Sequence, residues 1–327
     1  MPDKKISAVI ACYNEEDSIG EMHRRLTETL KGNAEDYEII FVENGSFDRS
    51  YEILKGLAKK DRHVVVIRFS RNYQSQSAFT AGMQCATGDA VVCLDGDLQD
   101  PPEVIGEFIR AWQEGYDIVY GVRTKRRGSL FRRICYKAFY RVFRRIADIE
   151  VPVDAGDFSL MDRRVVNHIN ALPERDRFIR GLRAWVGFKN TGIPYTRDDR
   201  KHGDTTNSFI DNVKWANKAI YSFSKAPLEL ISHISLLMFF ITLLAIPLQI
   251  ISYFVFPGIP HGITTIIILI LFISSIQLLC MSFLGGYIGR IFEEVKSKPN
   301  YIVTEVINSS NREFIKRYVE DYERKPQ

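Results

Sequence analysis

The chain has 327 residues, a formal net charge of +4, 46% hydrophobic residues and 26% charged ones. That length exceeds the needs of one ordinary domain, and the near balance of charge argues against a dedicated nucleic-acid binder, whose basic surplus is larger. Five scattered cysteines without metal-ligand spacing read as reduced, packed thiols, not as a disulfide framework or a zinc site.

Met1–Lys5 leads straight into a strand-like run, so no secretory signal is expected. From there to about residue 122, short β-rich runs alternate with amphipathic stretches. Strands are predicted over Ile6–Ala11, Tyr37–Val42, Val64–Phe69, Ala90–Leu94 and Ile118–Val122, with helices near Glu15–Lys31, Arg49–Asp61, Ser75–Ala86 and Pro102–Glu114. Strands separated by helices of this length make right-handed βαβ units and a mostly parallel α/β sheet. Ligands of such a sheet bind beyond the carboxyl ends of its strands, which is where the chemistry-bearing residues fall.

The first strand ends in Ala11-Cys12-Tyr13-Asn14-Glu15, a ring able to stack on a base beside an amide and a carboxylate that can hydrogen-bond it. The second ends in Glu43-Asn44-Gly45-Ser46-Phe47-Asp48, acceptors at a helix N-terminus, and the third in Ser70-Arg71-Asn72-Tyr73, where Arg71 suits a phosphate. The fourth breaks at Asp95-Gly96-Asp97, where glycine lets the chain turn close to a ligand, and Pro101-Pro102 opens the next helix. Two neighbouring carboxylates without His or Cys suit a hard cation such as Mg²⁺ or Mn²⁺, with phosphates completing its shell. Each loop alone also fits a cap or turn; four on one sheet edge fit a nucleotide cleft.

No acidic residue lies between Asp117 and Asp148, a stretch that includes Arg123, Arg126 and Arg127. Within it, residues 129–147 repeat apolar side chains at helical spacing opposite arginines, the pattern of a helix lying at anionic headgroups. Val153–Arg163 reads as a short strand carrying Asp157, and residues 208–224 as a second amphipathic helix. Leu230–Pro260 and Gly262–Gly289 contain no Asp, Glu, Lys or Arg, and each exceeds the roughly 20 apolar residues that span a bilayer. Basic residues flank the pair on one side, so a multi-pass hairpin in the inner (plasma) membrane is expected, with both ends cytoplasmic. The polar tail carries one β-rich run, Tyr301–Ile307, expected to pack on a neighbouring subunit of a homo-oligomer.

Ala8–Glu16, Val42–Asp48 and Leu94–Glu103 resemble the successive motifs of family 2 glycosyltransferases of the GT-A fold. Nearly the whole chain is similar to the polyprenyl-phosphate glycosyltransferases, the group that includes dolichol-phosphate mannose synthase and GtrB-type bactoprenol glucosyltransferases. The resemblance implies a GT-A domain over 1–226, two transmembrane helices over 227–289 and a cytoplasmic tail over 290–327. It implies a nucleotide-sugar site of Ala11, Tyr13, Glu15, Glu43, Asn44, Arg71, Asp95, Gln99 and Arg200, with Mg²⁺ or Mn²⁺ on Asp95 and Asp97. Arg123, Arg126 and Arg127 are implied to meet the acceptor's lipid phosphate, and Asp157 and Asp97 to be catalytic.

The implied reaction moves a hexose, glucose from UDP-glucose in the first instance, to undecaprenyl or dolichyl phosphate with inversion, for cell-envelope glycans or glycosylation. Galactose, an N-acetylhexosamine, an aminoarabinose derivative and mannose from GDP-mannose are alternatives, as is a degenerate nucleotide-sugar-binding module. Three departures bear on the donor. Ala11 stands where relatives usually carry proline, Glu43-Asn44 where they usually carry two aspartates, and Thr205-Thr206 where they usually carry Ser-Lys; the lost lysine removes a cation from the diphosphate region, for which Arg200, Lys201 or His202 is expected to compensate.

Overall fold

The computed structural model describes residues 4–124, 155–175, 177–197, 226–255 and 263–320. Its sheet grows from runs too apolar to face water. In β1 (Lys5–Cys12) Ala8, Val9 and Ile10 are wholly buried, as are Ala90–Leu94 of β4 (Ala90–Asp95). Between them in the chain come α1 (Ile19–Asn33), β2 (Asp36–Glu43), α2 (Ser50–Lys60), β3 (Val64–Phe69) and α3 (Gln74–Cys85). The stripe Ile19, Met22, Leu26 and Leu30 buries one side of α1 against Ile6, Ala8 and Ile10, the spacing that an amphipathic helix requires. A 3₁₀ turn at Pro102–Val104 leads into α4 (Ile105–Gln113).

The remaining elements of the sheet unit are β5 (Ile118–Arg123), β6 (Ala155–Asp162), α5 (Arg163–Ala171), α6 (Ile179–Trp185) and β7 (Asn190–Tyr195). With β8 (Val303–Ile307) the strands order as β7-β5-β6-β4-β1-β2-β3-β8. The pairs β1–β2, β1–β4, β2–β3 and β5–β7 are parallel, while β6 runs antiparallel to both β4 and β5. This is the mostly parallel GT-A arrangement that the motifs imply.

The five strands predicted before residue 123 are all present: β1 and β2 extend by one residue at each end, β4 and β5 by one at the carboxyl end, and β3 keeps its predicted bounds. Parallel ladders continue through Ala11↔Asp95 and Cys12↔Glu43, so Asp95, Glu43 and Arg123 are last residues of strands. Strand β7 has no counterpart in the sequence reading. Its Gly192 and Pro194 disfavour a strand, but β7 lies at the sheet edge, where proline is tolerated.

The tail strand is built into the sheet of its own chain. β8 pairs antiparallel with β3, and Tyr301 stacks on Phe69 with ring centroids 4.9 Å apart. The Tyr51 hydroxyl donates to Glu305, and Ser70 N–H donates to the Ile302 carbonyl. The pairing closes an edge whose backbone groups would otherwise be open, so the last described residues belong to the catalytic unit. A short helix α9 (Arg312–Ile315) follows.

The second unit comprises two long helices, α7 (Ala226–Val255), with Pro247 inside it, and α8 (Ile263–Lys296). Among the described residues one stretch, Phe272–Lys296, is long and apolar enough to cross a bilayer, and the apolar run Leu228–Met238 of α7 is too short. The expected two-span, multi-pass hairpin is therefore met for one span only. The expected interfacial helices at 129–147 and 208–224, and the turn at 256–262, lie outside the described residues.

Candidate active site

The loops after β1 and β2 are tied to each other by backbone N–H groups of each that donate to side-chain oxygens of the other. Asn14 N–H donates to Ser46 Oγ (3.0 Å), Phe47 N–H to Asn14 Oδ1 (2.9 Å), Glu15 N–H to Ser50 Oγ (2.9 Å) and Arg49 N–H to Glu16 Oε2 (3.0 Å). The first loop therefore turns away from the predicted early helix start, with Asn14 at φ 54, and α1 begins only at Ile19. Tyr13 stands at the mouth of these loops in edge contact with Phe47, which is 89% exposed. Glu15 accepts a hydrogen bond from Ser18 Oγ at 2.7 Å.

Glu43 is wholly buried; its Oε1 accepts Ser46 N–H, while Oε2 lies 3.5 Å from Arg68 Nε without a hydrogen bond. Buried Asn44 accepts Tyr73 N–H at 2.8 Å, which fixes the third loop to the second. Arg71 is exposed there, with its guanidinium 4.0 Å above the Tyr73 ring. Ala11 contributes its carbonyl, which accepts Gly96 N–H at 3.0 Å. A Cβ on Gly96 would lie 3.0 Å from that carbonyl, so glycine serves close approach; the left-handed turn falls instead on Leu98, φ 58.

Beside these loops four carboxylates gather. Burial first, then the like charges of Asp100, Asp157 and Asp97, push the Asp95 carboxyl up to about 7. Asp97 Oδ1 accepts Gln99 N–H at 3.1 Å, and its Oδ2 lies 3.9 Å from Arg197 Nη2. Asp100, 1% exposed, lies 3.4 Å from Arg197 Nε and 4.0 Å from Arg123 Nη2. Asp157, on β6, receives two bonds from Arg180 of α6, at 2.9 and 2.8 Å. Burial would raise Asp157, but Arg180, with buried Arg183, holds it below the ordinary carboxylate range. The cost falls on Arg183, which burial lowers to about 10 and whose Nη1 has no hydrogen-bond partner.

The structure thus brings Asp95, Asp97, Asp157 and Arg123 into one neighbourhood. Arg126, Arg127 and Arg200 lie outside the described residues. Asp100 and Tyr195 join the site although the sequence reading gave them no role there, and nothing local marked Asp100 apart from a helix-opening residue. Arg180 and Arg197 fall in two segments, 175–188 and 197–207, that resemble the family's acceptor-side lining and donor-covering loop.

The sheet order, the strand-end loops and the carboxylates gathered beside them are those of the GT-A class of fold. Comparison with known proteins agrees: the glycosyl transferase family 2 model matches residues 7–169. The chain is 42% identical over 311 residues to an uncharacterized glycosyltransferase, YkcC, of Bacillus subtilis (strain 168), covering 94% of this chain and 95% of that one. It is 36% identical to a prophage bactoprenol glucosyl transferase homolog of Escherichia coli (strain K12), over 92% of this chain and 99% of the relative. A bactoprenol glucosyl transferase of Shigella phage SfII is 37% identical over 91% and 97% of the two chains. The chain belongs to glycosyl transferase family 2.

Proposed function

We propose that the protein transfers a hexose from a nucleoside diphosphate sugar, UDP-glucose first among the candidates, to polyprenyl phosphate at the cytoplasmic face of the inner (plasma) membrane. The observation that carries this reading is the juxtaposition of buried carboxylates with Arg123 and Arg197 at the carboxyl ends of the strands. Carboxylates there serve a cation and guanidiniums serve phosphates. The names of the bactoprenol relatives support the acceptor, and the apolar stretch Phe272–Lys296 supports membrane attachment.

The donor set is oxygen only, and burial together with the neighbouring like charges raises Asp95, which a hard divalent ion would relieve; the residues therefore fit Mg²⁺ or Mn²⁺. Asp95 and Asp97 would hold that ion, whose charge would offset that of the departing diphosphate. Tyr13, Glu15, Glu43 and Asn44 line the base end, and Gln99 the sugar end. Arg123 receives the acceptor phosphate. That phosphate has a second pKa near 6 and is largely ionised at neutral pH, so its oxygen attacks the anomeric carbon without a strong base. Asp157, kept ionised by Arg180, orients the reactants and steadies positive charge at the sugar. A single in-line displacement on an α-linked donor gives a β-linked lipid phosphate sugar.

The test is incubation of the purified full chain with Mg²⁺, undecaprenyl phosphate and a panel of radiolabelled nucleotide sugars, followed by lipid extraction. A labelled β-linked lipid is expected from one donor. Absence of lipid product from every donor refutes the reading.

A further inference from the structure

Arg123 ends β5 and is register-paired with Tyr195, the last residue of β7. Its Nε donates to the Tyr195 hydroxyl oxygen at 3.3 Å, and that hydroxyl donates to Asp100 Oδ1. Tyr195 is 5% exposed and Asp100 1%, so the phenol and the carboxylate of this relay are shut off from water, while the Arg123 side chain stays 20% exposed. A phenol that donates to a carboxylate becomes a better acceptor for the guanidinium behind it. Burial and the Asp100 charge both raise the phenol's own titration, so the hydroxyl keeps its proton.

The arrangement is selective about which part of Arg123 it uses. Nε is engaged by Tyr195; Nη2 stands at ion-pair distance from Asp100, 4.0 Å, and neither Nη atom has a hydrogen bond among the described residues. The outer edge of the fork is thereby left for a ligand, and that edge matches phosphate oxygens in pairs. The ring of Tyr195 reaches across β5 because residue 121 is glycine: a Cβ there would lie 2.6 Å from Tyr195 Cε1. Phe158 braces the ring edge-on, with centroids 5.6 Å apart.

We propose that Tyr195 is a positioning residue whose hydroxyl, anchored on Asp100, aims the Arg123 guanidinium at the acceptor phosphate. The proposal rests on the reading that Arg123 receives that phosphate. A tyrosine that only satisfied buried Asp100 would influence stability without distinguishing the two substrates. A tyrosine that aims Arg123 sets affinity for the acceptor alone.

The experiment measures KM for undecaprenyl phosphate and for the nucleotide sugar with the full chain carrying Tyr195→Phe, Arg123→Lys or both. Tyr195→Phe keeps the ring and is expected to raise acceptor KM about tenfold, the size of one hydrogen bond to a charged group. Donor KM and kcat should stay near wild type, and adding Tyr195→Phe to Arg123→Lys should change little further. Gly121→Ala, which pushes the ring while keeping the hydroxyl, should reproduce the acceptor effect in a second way. An unchanged acceptor KM in Tyr195→Phe, or a shift in donor KM instead, overturns the proposal. Should Arg123→Lys itself leave acceptor KM unchanged, the assignment of Arg123 to the acceptor fails, and with it the role of Tyr195.

Discussion

Replacing Asp157 by asparagine keeps its volume and removes its charge. Two charge-assisted bonds to Arg180, at 2.9 and 2.8 Å, then meet an amide, and buried Arg183 loses its nearest negative charge. Breaking a buried ion pair from one side costs about 3–5 kcal/mol. The Arg180 side chain is 27% exposed and can turn toward water, which draws the figure toward about 3 kcal/mol. For a unit of this size each kcal/mol moves Tm by about 2–4 °C, so a fall of about 6–12 °C is expected at neutral pH. The folded-state pKa of Asp157 is depressed, so its stabilisation is fully present above the unfolded value near 3.9 and is lost as pH falls through the folded one. The gap between wild type and Asp157→Asn should therefore close in acid. Thermal unfolding of the purified full chain measures both. Adding Arg180→Gln to Asp157→Asn should recover part of the Tm and none of the turnover. A Tm within about 2 °C of wild type at neutral pH, or a gap that persists in strong acid, refutes the reasoning.

Asp97→Ala removes a carboxylate proposed to hold the cation, and turnover should fall about a thousandfold while Tm stays within a few degrees; wild-type rates in Mg²⁺ would remove Asp97 from the metal site. Asn44→Ala leaves Tyr73 N–H without its acceptor, costing about 1–2 kcal/mol and freeing the third loop, so donor KM should rise with little change in acceptor KM. Tyr301→Ala removes the stack on Phe69 and the hydrogen bond to Gln84, and should destabilise the catalytic unit by about 3–5 kcal/mol in a thermal melt. A neutral result there would mean that the tail strand contributes nothing to the fold it closes.

The parallel half of the sheet was legible because its strands are continuous apolar runs and its helices keep a regular stripe, as in Ala90–Leu94 and Ile19–Leu30. The place of Glu43 and Asp95 at strand ends, with Asn44 and Asp97 just beyond, was legible because the apolar runs stop there. What stayed hidden was long-range. Strand β7, with its glycine and proline, carries no local strand signal and is held by β5. The tail run was legible as β-rich, but its pairing with β3 joins opposite ends of the chain, which no local pattern reports. The Asp157–Arg180 pair spans 23 residues and two elements, and no periodicity reports it.

The carboxylates of the site are not equivalent, and the difference comes from their neighbours. Asp95 is raised first by burial and then by Asp100, Asp157 and Asp97, with Arg197 opposing them, and rises to about 7. Asp157 sits in the same acidic field, yet Arg180 grips both of its oxygens and holds it low. Titratable groups whose surroundings push them in opposite directions separate into different tasks. A carboxylate raised by its own kind is relieved by a cation; a carboxylate clamped in its ionised form is a poor proton acceptor and a steady source of negative charge. An acceptor that arrives already ionised needs no proton removed, so the arrangement suits a phosphate nucleophile better than a sugar hydroxyl. The same division explains why the arginines come from three directions. Arg123 and Arg197 share Asp100 at the cluster's edge, while Arg180 is committed to Asp157, so charge is balanced in the core of the site without consuming the guanidinium proposed to meet the acceptor.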